Sequence, residues 1–346
     1  MAERHTTPTV FSYGPDPQGL VCGWRFVPGQ PACAVDCAGA LRHAADLRAP
    51  GFVWLHFNLS HAGAEPWLRA QGGLDEDVLE ALRQGSRSSR IERNGEALFA
   101  VINDVTFDFS YEASDVATLW LVVSPRRVIS ARRQPLRSVD RLRGAVKRGE
   151  ALSTPVALLD HLLRDQADEL QAIVRRATER IDDIEDDVLA GKTGGHATEL
   201  SRLRRVSVRL QRLLAPEPGA LLRMLGNPPD WVPADDLQRL RQASEESALV
   251  LHEVATLQER IKLLQEEAAA RVAEENNRSL FLLTMVTVLA LPINLVAGLM
   301  GMNVGGVPGA ASSHGFWWVV AAVFGGTAAA GWAVTRRLGS RRTRGR

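Results

Sequence analysis

Residues 280–303 read LFLLTMVTVLALPINLVAGLMGMN, and this stretch decides the fold. Its first 21 residues, 280–300, contain no Asp, Glu, Lys or Arg. An α-helix rises 1.5 Å per residue, so a helix of this length spans about 30 Å, the thickness of the hydrocarbon core of a bilayer. The stretch therefore predicts a membrane-spanning helix over residues 280–300.

A second uncharged run lies near the C-terminus, over residues 315–335. It opens with Phe316, Trp317 and Trp318, and such aromatic residues are typical of the membrane–water interface. A pair of buried core helices is the alternative, which two neighbouring runs without a charge disfavour. We therefore predict a second transmembrane helix over 315–335 and a short extracytoplasmic loop over 301–314.

The distribution of arginine predicts the orientation. The tail, residues 336–346, carries six arginines and no acidic residue, although the net charge of the whole chain is only +1. Arginines beside a span stay on the cytoplasmic side, and two spans return the chain to its starting side. We therefore expect a multi-pass protein of the plasma (bacterial inner) membrane with both termini in the cytoplasm. One hairpin of two helices cannot enclose a pore, so transport would require an oligomer.

The N-terminal part, residues 1–153, mixes helix-like and strand-like segments and is predicted to form an α+β cytoplasmic domain. A helix is predicted over residues 74–84, whose first turn is acidic. Four segments rich in β-branched and aromatic residues predict strands. They are residues 51–57, 97–102, 118–123 and 127–130.

Residues 154–232 predict a cytoplasmic helical hairpin. Apolar residues recur at helical spacing on both sides of a break at 191–195 that contains three glycines. Thr154-Pro155 is a favourable helix start, and Pro216-Glu-Pro218 is predicted to end the second helix.

Residues 233–279 predict a stalk helix that continues directly into the first span. No Pro or Gly interrupts the chain before Pro292, and a helix over 234–299 would be on the order of 100 Å long. Its apolar residues alternate steps of four and three, as in a coiled coil. They are Val250, Val254, Leu257, Ile261, Leu264 and Ala268.

The sequence resembles the CorA superfamily of divalent-cation transporters. The resemblance rests on Gly301-Met302-Asn303 at the outer end of the penultimate span, followed by a short loop, a last span and a basic tail. Residues 291–298 and the acidic segment 179–187 are also similar to the family. The resemblance implies a funnel-shaped homopentamer in which the first spans line a central pore and the second spans lie outside them.

Within this superfamily the chain looks like the zinc-transporting ZntB branch. Magnesium-channel members usually carry an acidic residue shortly after Gly-Met-Asn, whereas residues 301–313 are uncharged here. The strings 303–309 and 127–140 also resemble the ZntB branch. We therefore expect Zn²⁺ as the transported ion, with a magnesium or cobalt channel as the alternative.

A polar stripe on the first span is the candidate pore lining. Polar residues within a span usually face protein or a water-filled cavity, although Thr can also bond to its own helix backbone, most plausibly at Thr284. Leu280 and Leu283 are a candidate gate that closes by excluding water. The predicted pore-lining residues are Asn277, Leu280, Thr284, Thr287, Leu291, Asn294 and Gly298.

The outer mouth is predicted at Gly301, Met302 and Asn303. In a pentamer Asn303 would present five amide oxygens, which suit a hard divalent cation held through its hydration shell. Zn²⁺ prefers nitrogen and sulfur ligands, which the stripe lacks unless His314 contributes. The assignment to zinc therefore rests on the family resemblance.

Acidic residues on the cytoplasmic side are candidates for handling ions or protons. Neither span contains Asp, Glu or His, so Glu274 and Glu275 at the entrance are the nearest candidates for proton coupling. The acidic run of 182–187 either concentrates cations by its field or is an ordinary solvated face.

Other classes of function fit less well. There is no phosphate loop, nucleophile elbow or His-Glu-x-x-His site, so no enzyme is expected. A membrane-tethered scaffold or sensor fits the stalk but leaves the polar stripe unexplained. Cys22, Cys33 and Cys37 favour free thiols over a disulfide framework or zinc site. We expect no cofactor besides the transported cation, membrane lipid and further copies of the chain as partners, and no nucleic acid.

Overall fold

The computed structural model describes residues 16–46, 48–85, 89–106, 109–110, 115–191, 195–302 and 313–342. The chain divides into two compact units, residues 1–266 and 267–346. The first unit contains the sheet and the helices packed on it, and the second contains the predicted spans.

The first unit is built on a seven-stranded mixed sheet with the order β2-β1-β3-β7-β6-β5-β4. Only the pairing of β3 with β7 is parallel among the described strands. The strands are β1 (Leu20–Phe26), β2 (Cys33–Ala34), β3 (Phe52–Asn58), β4 (Arg90–Asn94), β5 (Ala97–Val105), β6 (Val116–Ser124) and β7 (Arg127–Arg132).

All four predicted strands are present, as β3, β5, β6 and β7. The strands missed from the sequence are β1, β2 and β4. The sheet ends in β2 and β4, and β4 (RIERN) is rich in charge. An edge strand needs less apolar surface than a central one, which is why its pattern is weak.

Helices cover both faces of the sheet because its central strands alternate their apolar side chains between the faces. On β3, Val53, Leu55 and Phe57 pack with α1, α2 and α3, whereas Phe52 and Trp54 pack with the core on the other side. These helices are α1 (Cys37–Ala45), α2 (Ala64–Gln71), α3 (Glu76–Gln84) and, on the second face, α4 (Arg137–Lys147).

Between α4 and the C-terminal helix, the described chain forms three long helices and one short helix. The Thr154 hydroxyl accepts a hydrogen bond from the Ala157 amide (3.0 Å) and caps the first of them, as its sequence predicted. The second helix ends at Leu214, before Pro216-Glu-Pro218, as predicted. A short helix that was not predicted begins at Pro216, where proline is well tolerated. The helices are α5 (Pro155–Leu189), α6 (His196–Leu214), α7 (Pro216–Leu225) and α8 (Ala234–Met300).

The apolar seam of α8 is buried within its own chain. Val250 packs with residues of α5 and α6, and Leu257, Ile261 and Leu264 pack with the next turns of the same two helices. Through this seam, α8 forms a three-helix bundle with α5 and α6. The start of α8 joins the sheet core through Leu240 and Ala243.

The predicted long helix agrees with α8 to within one residue at its C-terminal end. By length and composition its C-terminal part is apolar enough to cross a membrane, and residues 315–329 form a shorter apolar segment within α9 (Gly315–Arg342). The fold class is therefore confirmed: an α+β domain is followed by a long helix and a C-terminal helix.

Candidate functional site

The predicted pore stripe lies on one exposed side of α8. At 3.6 residues per turn, its seven residues fall within about 60° of the direction of Leu280. Each of them is exposed, with Leu280 60% and Leu291 61% accessible. Leu283, the second residue of the candidate gate, is 65% exposed and lies at the edge of the stripe.

The opposite side of α8 is shielded in part, although Leu282, which points the same way, is 57% exposed. Met285, Leu289, Ile293 and Val296 are half-buried, and on a regular helix they point within about 40° of the direction opposite to Leu280. The other helix described in this unit, α9, also has a half-buried side, formed by Val319, Val320, Val323 and Thr327. One apolar face on each helix is what a helical hairpin requires, and it leaves the polar stripe of α8 free.

The hydroxyl groups of the stripe bond within the helix. Thr284 donates to the Leu280 carbonyl (2.8 Å), and Thr287 donates to the Leu283 carbonyl (2.9 Å). The bond considered for Thr284 is therefore present, and Thr287 makes the same kind of bond. By contrast, the Asn277 and Asn294 amides make no hydrogen bond to protein in the part of the chain that the structure describes. These two side chains are therefore the polar groups available on the stripe.

Helix α8 ends at the predicted outer mouth. The Gly301 amide donates to the Ala297 carbonyl (2.9 Å), and a Cβ at position 301 would lie 3.1 Å from that same oxygen, so a larger residue is crowded here. Met302 is 53% exposed. Asn303 lies outside the described residues, so its predicted role stays a prediction.

His314, which the sequence analysis considered as a possible zinc ligand, lies just before α9. Its Nδ1 is 2.9 Å from the Ser313 hydroxyl, and both residues are exposed. Among the described residues there is no group of three or more His, Cys, Asp or Glu side chains that could hold a metal ion.

The acidic run on α5 is largely paired with cationic groups. Arg260 of α8 bonds to Asp182 (2.6 Å) and Glu185 (3.0 Å), which ties the two helices together. Asp183 lies 3.7 Å from Arg180, and Asp187 lies 3.5 Å from His196. Two arginines offset only part of the charge of the five carboxylates. Because Arg260 joins α5 to α8, the run has a structural role beside its negative field. The exposed Glu274 and Glu275 lie on α8, ahead of the span.

The structure reveals a buried polar network that the sequence analysis missed. Gln166 of α5 donates to the Asn103 carbonyl of β5 (2.7 Å) and to Glu217 of α7 (3.3 Å). Burial raises the pKa of Glu217 to about 7, and it raises the pKa of Asp104 to about 6 although Ser138 donates to that carboxyl. No periodicity marks these residues, because only the packing of α5 and α7 on the sheet brings them together.

The cysteines are free thiols, as expected. Cys22 and Cys37 are buried, and burial raises their pKa values to about 11 and about 12. A thiol binds metal as the thiolate, so these environments oppose a zinc site at the N-terminus. Cys33 is exposed.

Comparison with known proteins places this geometry in a family. The model of the CorA-like Mg²⁺ transporter proteins matches residues 50–337. The divalent cation transporter CmaX of Pseudomonas aeruginosa is 31% identical over 295 residues, which cover 85% of this chain and 89% of CmaX. The zinc transport protein ZntB of Yersinia enterocolitica is 24% identical over 263 residues, covering 76% of this chain and 80% of ZntB.

A solved structure agrees with these matches. The full-length CmaX protein superposes with a TM-score of 0.78 at 29% identity, over 94% of this chain and 99% of CmaX. The resemblance to the CorA superfamily and its ZntB-like relatives is thus confirmed, and the prediction that the chain is no enzyme agrees with it. The chain belongs to the CorA-like Mg²⁺ transporter protein family, and it is a membrane transporter of divalent cations.

Proposed function

We propose that five copies of this chain enclose a central pore that carries a divalent cation, preferentially Zn²⁺, across the plasma membrane. The observation that carries the proposal is the division of α8 into two sides. One side is half-buried and apolar, whereas the opposite side presents Asn277 and Asn294 without any partner in the part of the chain described. The Asn294 amide lies within the span, where such a group belongs in a water-filled path, and Asn277 lies three residues ahead of the span.

In this pore the cation passes as a hydrated ion. The threonine hydroxyls already donate within the helix, so they face the path with oxygen lone pairs. A ring of Asn303 amides at the outer mouth would hold the first hydration shell. Leu280 and Leu283 would close the path by excluding water at the cytoplasmic end of the span.

Zinc is favoured by sequence relationship and not by ligand chemistry. The ZntB relative is named for zinc transport, and the loop after Met302 has no acidic residue up to Ser313. The stripe, however, offers oxygen donors and no nitrogen or sulfur ligand. A magnesium or cobalt channel is therefore the second candidate, since an oxygen-lined path suits hydrated Mg²⁺ and the family model is named for that ion.

The test is ion uptake into liposomes that contain the purified protein, with Zn²⁺, Mg²⁺ and Co²⁺ compared at equal concentration. We expect Zn²⁺ to enter fastest and the Asn303→Ala variant to lose most of this flux. The matched control is Asn227→Ala, which removes an exposed amide from the turn after α7. Faster uptake of Mg²⁺ than of Zn²⁺ would show that Mg²⁺, and not Zn²⁺, is the preferred substrate. No flux of any of the three ions would favour a membrane-tethered scaffold.

A further inference from the structure

The bundle of α5, α6 and α8 fixes which residues lie at the same height along it. Leu203 of α6 packs in one cluster with Leu257 of α8, and Leu210 packs in another with Val250. As residue numbers rise along α6 they fall along α8, so the two helices are antiparallel. By this register Arg209 of α6 lies level with about residue 252 of α8.

One outward side of α6 forms a basic patch, defined here as Arg205, Val208, Arg209 and Arg212. Arg209 is four residues from Arg205 and three from Arg212, and Val208 is three from Arg205 and four from Arg212, so the four residues share one side of the helix. Val208 is 46% exposed, and none of the three arginines pairs with a carboxylate among the residues that the structure describes. The Nε of Arg209 is buried and has no acceptor within the described chain. A buried guanidinium N–H without an acceptor is costly, so this patch is incomplete in a single copy.

One outward side of α8 forms an acidic patch, defined here as Glu245, Leu249, Glu253 and Glu259. Leu249 is 67% exposed, and each glutamate is exposed. Within the described ranges none of the three carboxylates has a cationic partner. The centre of this patch lies level with the centre of the basic patch.

We propose that the basic patch of one copy docks on the acidic patch of the next copy. The inference rests on the proposed function, because it assumes a ring of copies around the pore. Rotation about an axis along the bundle keeps every residue at its height, so two patches can meet between copies only if they lie level, as these do. The patches are different surfaces, so the contact is head-to-tail, the type that closes into a ring.

The chemistry of the two patches is complementary. Each has one exposed aliphatic side chain flanked by charges of a single sign, three positive on α6 and three negative on α8. Joining them removes Val208 and Leu249 from water and pairs the arginines with carboxylates in a partly desolvated place. Arginine suits this role because its planar fork binds a carboxylate with two hydrogen bonds.

The first experiment is thiol cross-linking of the full-length protein in detergent. Val208→Cys and Leu249→Cys are combined in a Cys33→Ser background, which removes the exposed natural thiol. A short bis-maleimide is expected to give a ladder of covalently linked copies. In the matched control Leu249→Cys is replaced by Leu263→Cys, about 21 Å further along α8, and the ladder should disappear. Equal ladders from both pairs, or none from the first, would overturn the contact.

Charge reversal then tests the chemistry. Two double variants are compared: one carries Arg205→Glu and Arg212→Glu, and the other carries Glu245→Arg and Glu253→Arg. Each double variant should lower the cross-linking yield about tenfold, because it places like charges together. All four substitutions combined should restore the yield, and high salt should weaken the unmodified contact. An unchanged thermal unfolding midpoint shows that the variants fold. A cross-linking yield that stays the same in the charge-reversed variants would refute the charge pairing.

The same samples are assayed for ion flux so that the two proposals can fail separately. Flux without cross-linking would retain the transporter and reject this interface. Cross-linking without flux would retain the interface and reject the proposed transport.

Discussion

At the scale of single residues, Glu217 is a carboxyl group buried without a positively charged partner among the residues that the structure describes. It is 3% exposed, and the groups that contact it are the amide of Gln166 and the hydroxyl of Ser89. Neither carries a positive charge. Burial is therefore the main cause that raises the pKa of Glu217, from an ordinary 4.5 to about 7. The negative charge of Asp104 raises this pKa further, by a smaller amount.

This environment predicts a decline of stability with rising pH. An acid that holds its proton more tightly when folded contributes stability that is complete below about pH 4.5 and is lost as the pH rises through about 7. The loss for Glu217 is about 3 kcal/mol, at roughly 1.4 kcal/mol per pH unit. Glu217→Gln should therefore flatten the dependence of the unfolding midpoint on pH, measured in detergent between pH 5 and 8.

Asp104 should leave a smaller decline in the Glu217→Gln variant, because the pKa of that carboxyl is also raised, to about 6. The control is Glu179→Gln, which changes an exposed carboxyl of α5 and should leave the profile of the parent protein unchanged. A Glu217→Gln profile as steep as that of the parent would show that Glu217 does not titrate in this range.

At the scale of the element, α8 does two different jobs along its 67 residues. Its N-terminal part holds the bundle through a buried seam, and its apolar part presents an uncharged stripe. The change occurs because the partners change: α5 and α6 cover the seam as far as Leu264, whereas beyond that point side chains of α8 are exposed or half-buried.

Substitution of two adjacent leucines tests how much the seam contributes to the free energy of unfolding. Leu264 is 5% exposed and packs in the cluster with Ile261, whereas Leu263 is 61% exposed. Leu264→Ala should lower the free energy of unfolding by about 3 kcal/mol, because it leaves a cavity in the bundle, and Leu263→Ala by less than about 1 kcal/mol. Chemical denaturation in detergent followed by circular dichroism provides the comparison. Equal effects would mean that the seam is not the buried side of α8.

The candidate gate is a property of the other part of α8. Leu280→Ser combined with Leu283→Ser should raise the basal cation flux into liposomes severalfold, because a polar constriction stays wet. The control is Leu289→Ser, which places the same change on the half-buried side of the helix. A gate elsewhere would leave the basal flux of the double variant no higher than that of the parent.

At the scale of the whole molecule, the orientation in the membrane follows from charge outside the spans. We expect both termini in the cytoplasm and residues 301–314 outside. In a Cys33→Ser background, Ser313→Cys should react with a membrane-impermeant maleimide in intact bacterial cells. The natural Cys33, which is exposed on the first unit, should react only after the cells are permeabilised. The reverse pattern of labelling would invert the topology.

The sequence by itself determined the features that depend on neighbours along the chain. Hydropathy placed the end of α8, capping placed the start of α5 at Pro155, and enrichment in β-branched and aromatic residues placed the central strands. These patterns are local because one helix or strand must bury one face. The motif Gly301-Met302-Asn303, with its setting between two apolar runs, was enough to indicate the family, which the comparison with known proteins confirmed.

Only the tertiary structure decided what depends on partners distant in sequence. It covered the coiled-coil-like seam with α5 and α6 of the same chain, and it paired Arg260 with the acidic run that sequence alone left ambiguous. It also placed Glu217 under Gln166, and set the shielded side of α8 opposite the stripe that holds Asn294. The physical reason is that burial and charge pairing depend on which surfaces meet, and periodicity along one helix does not specify its neighbour.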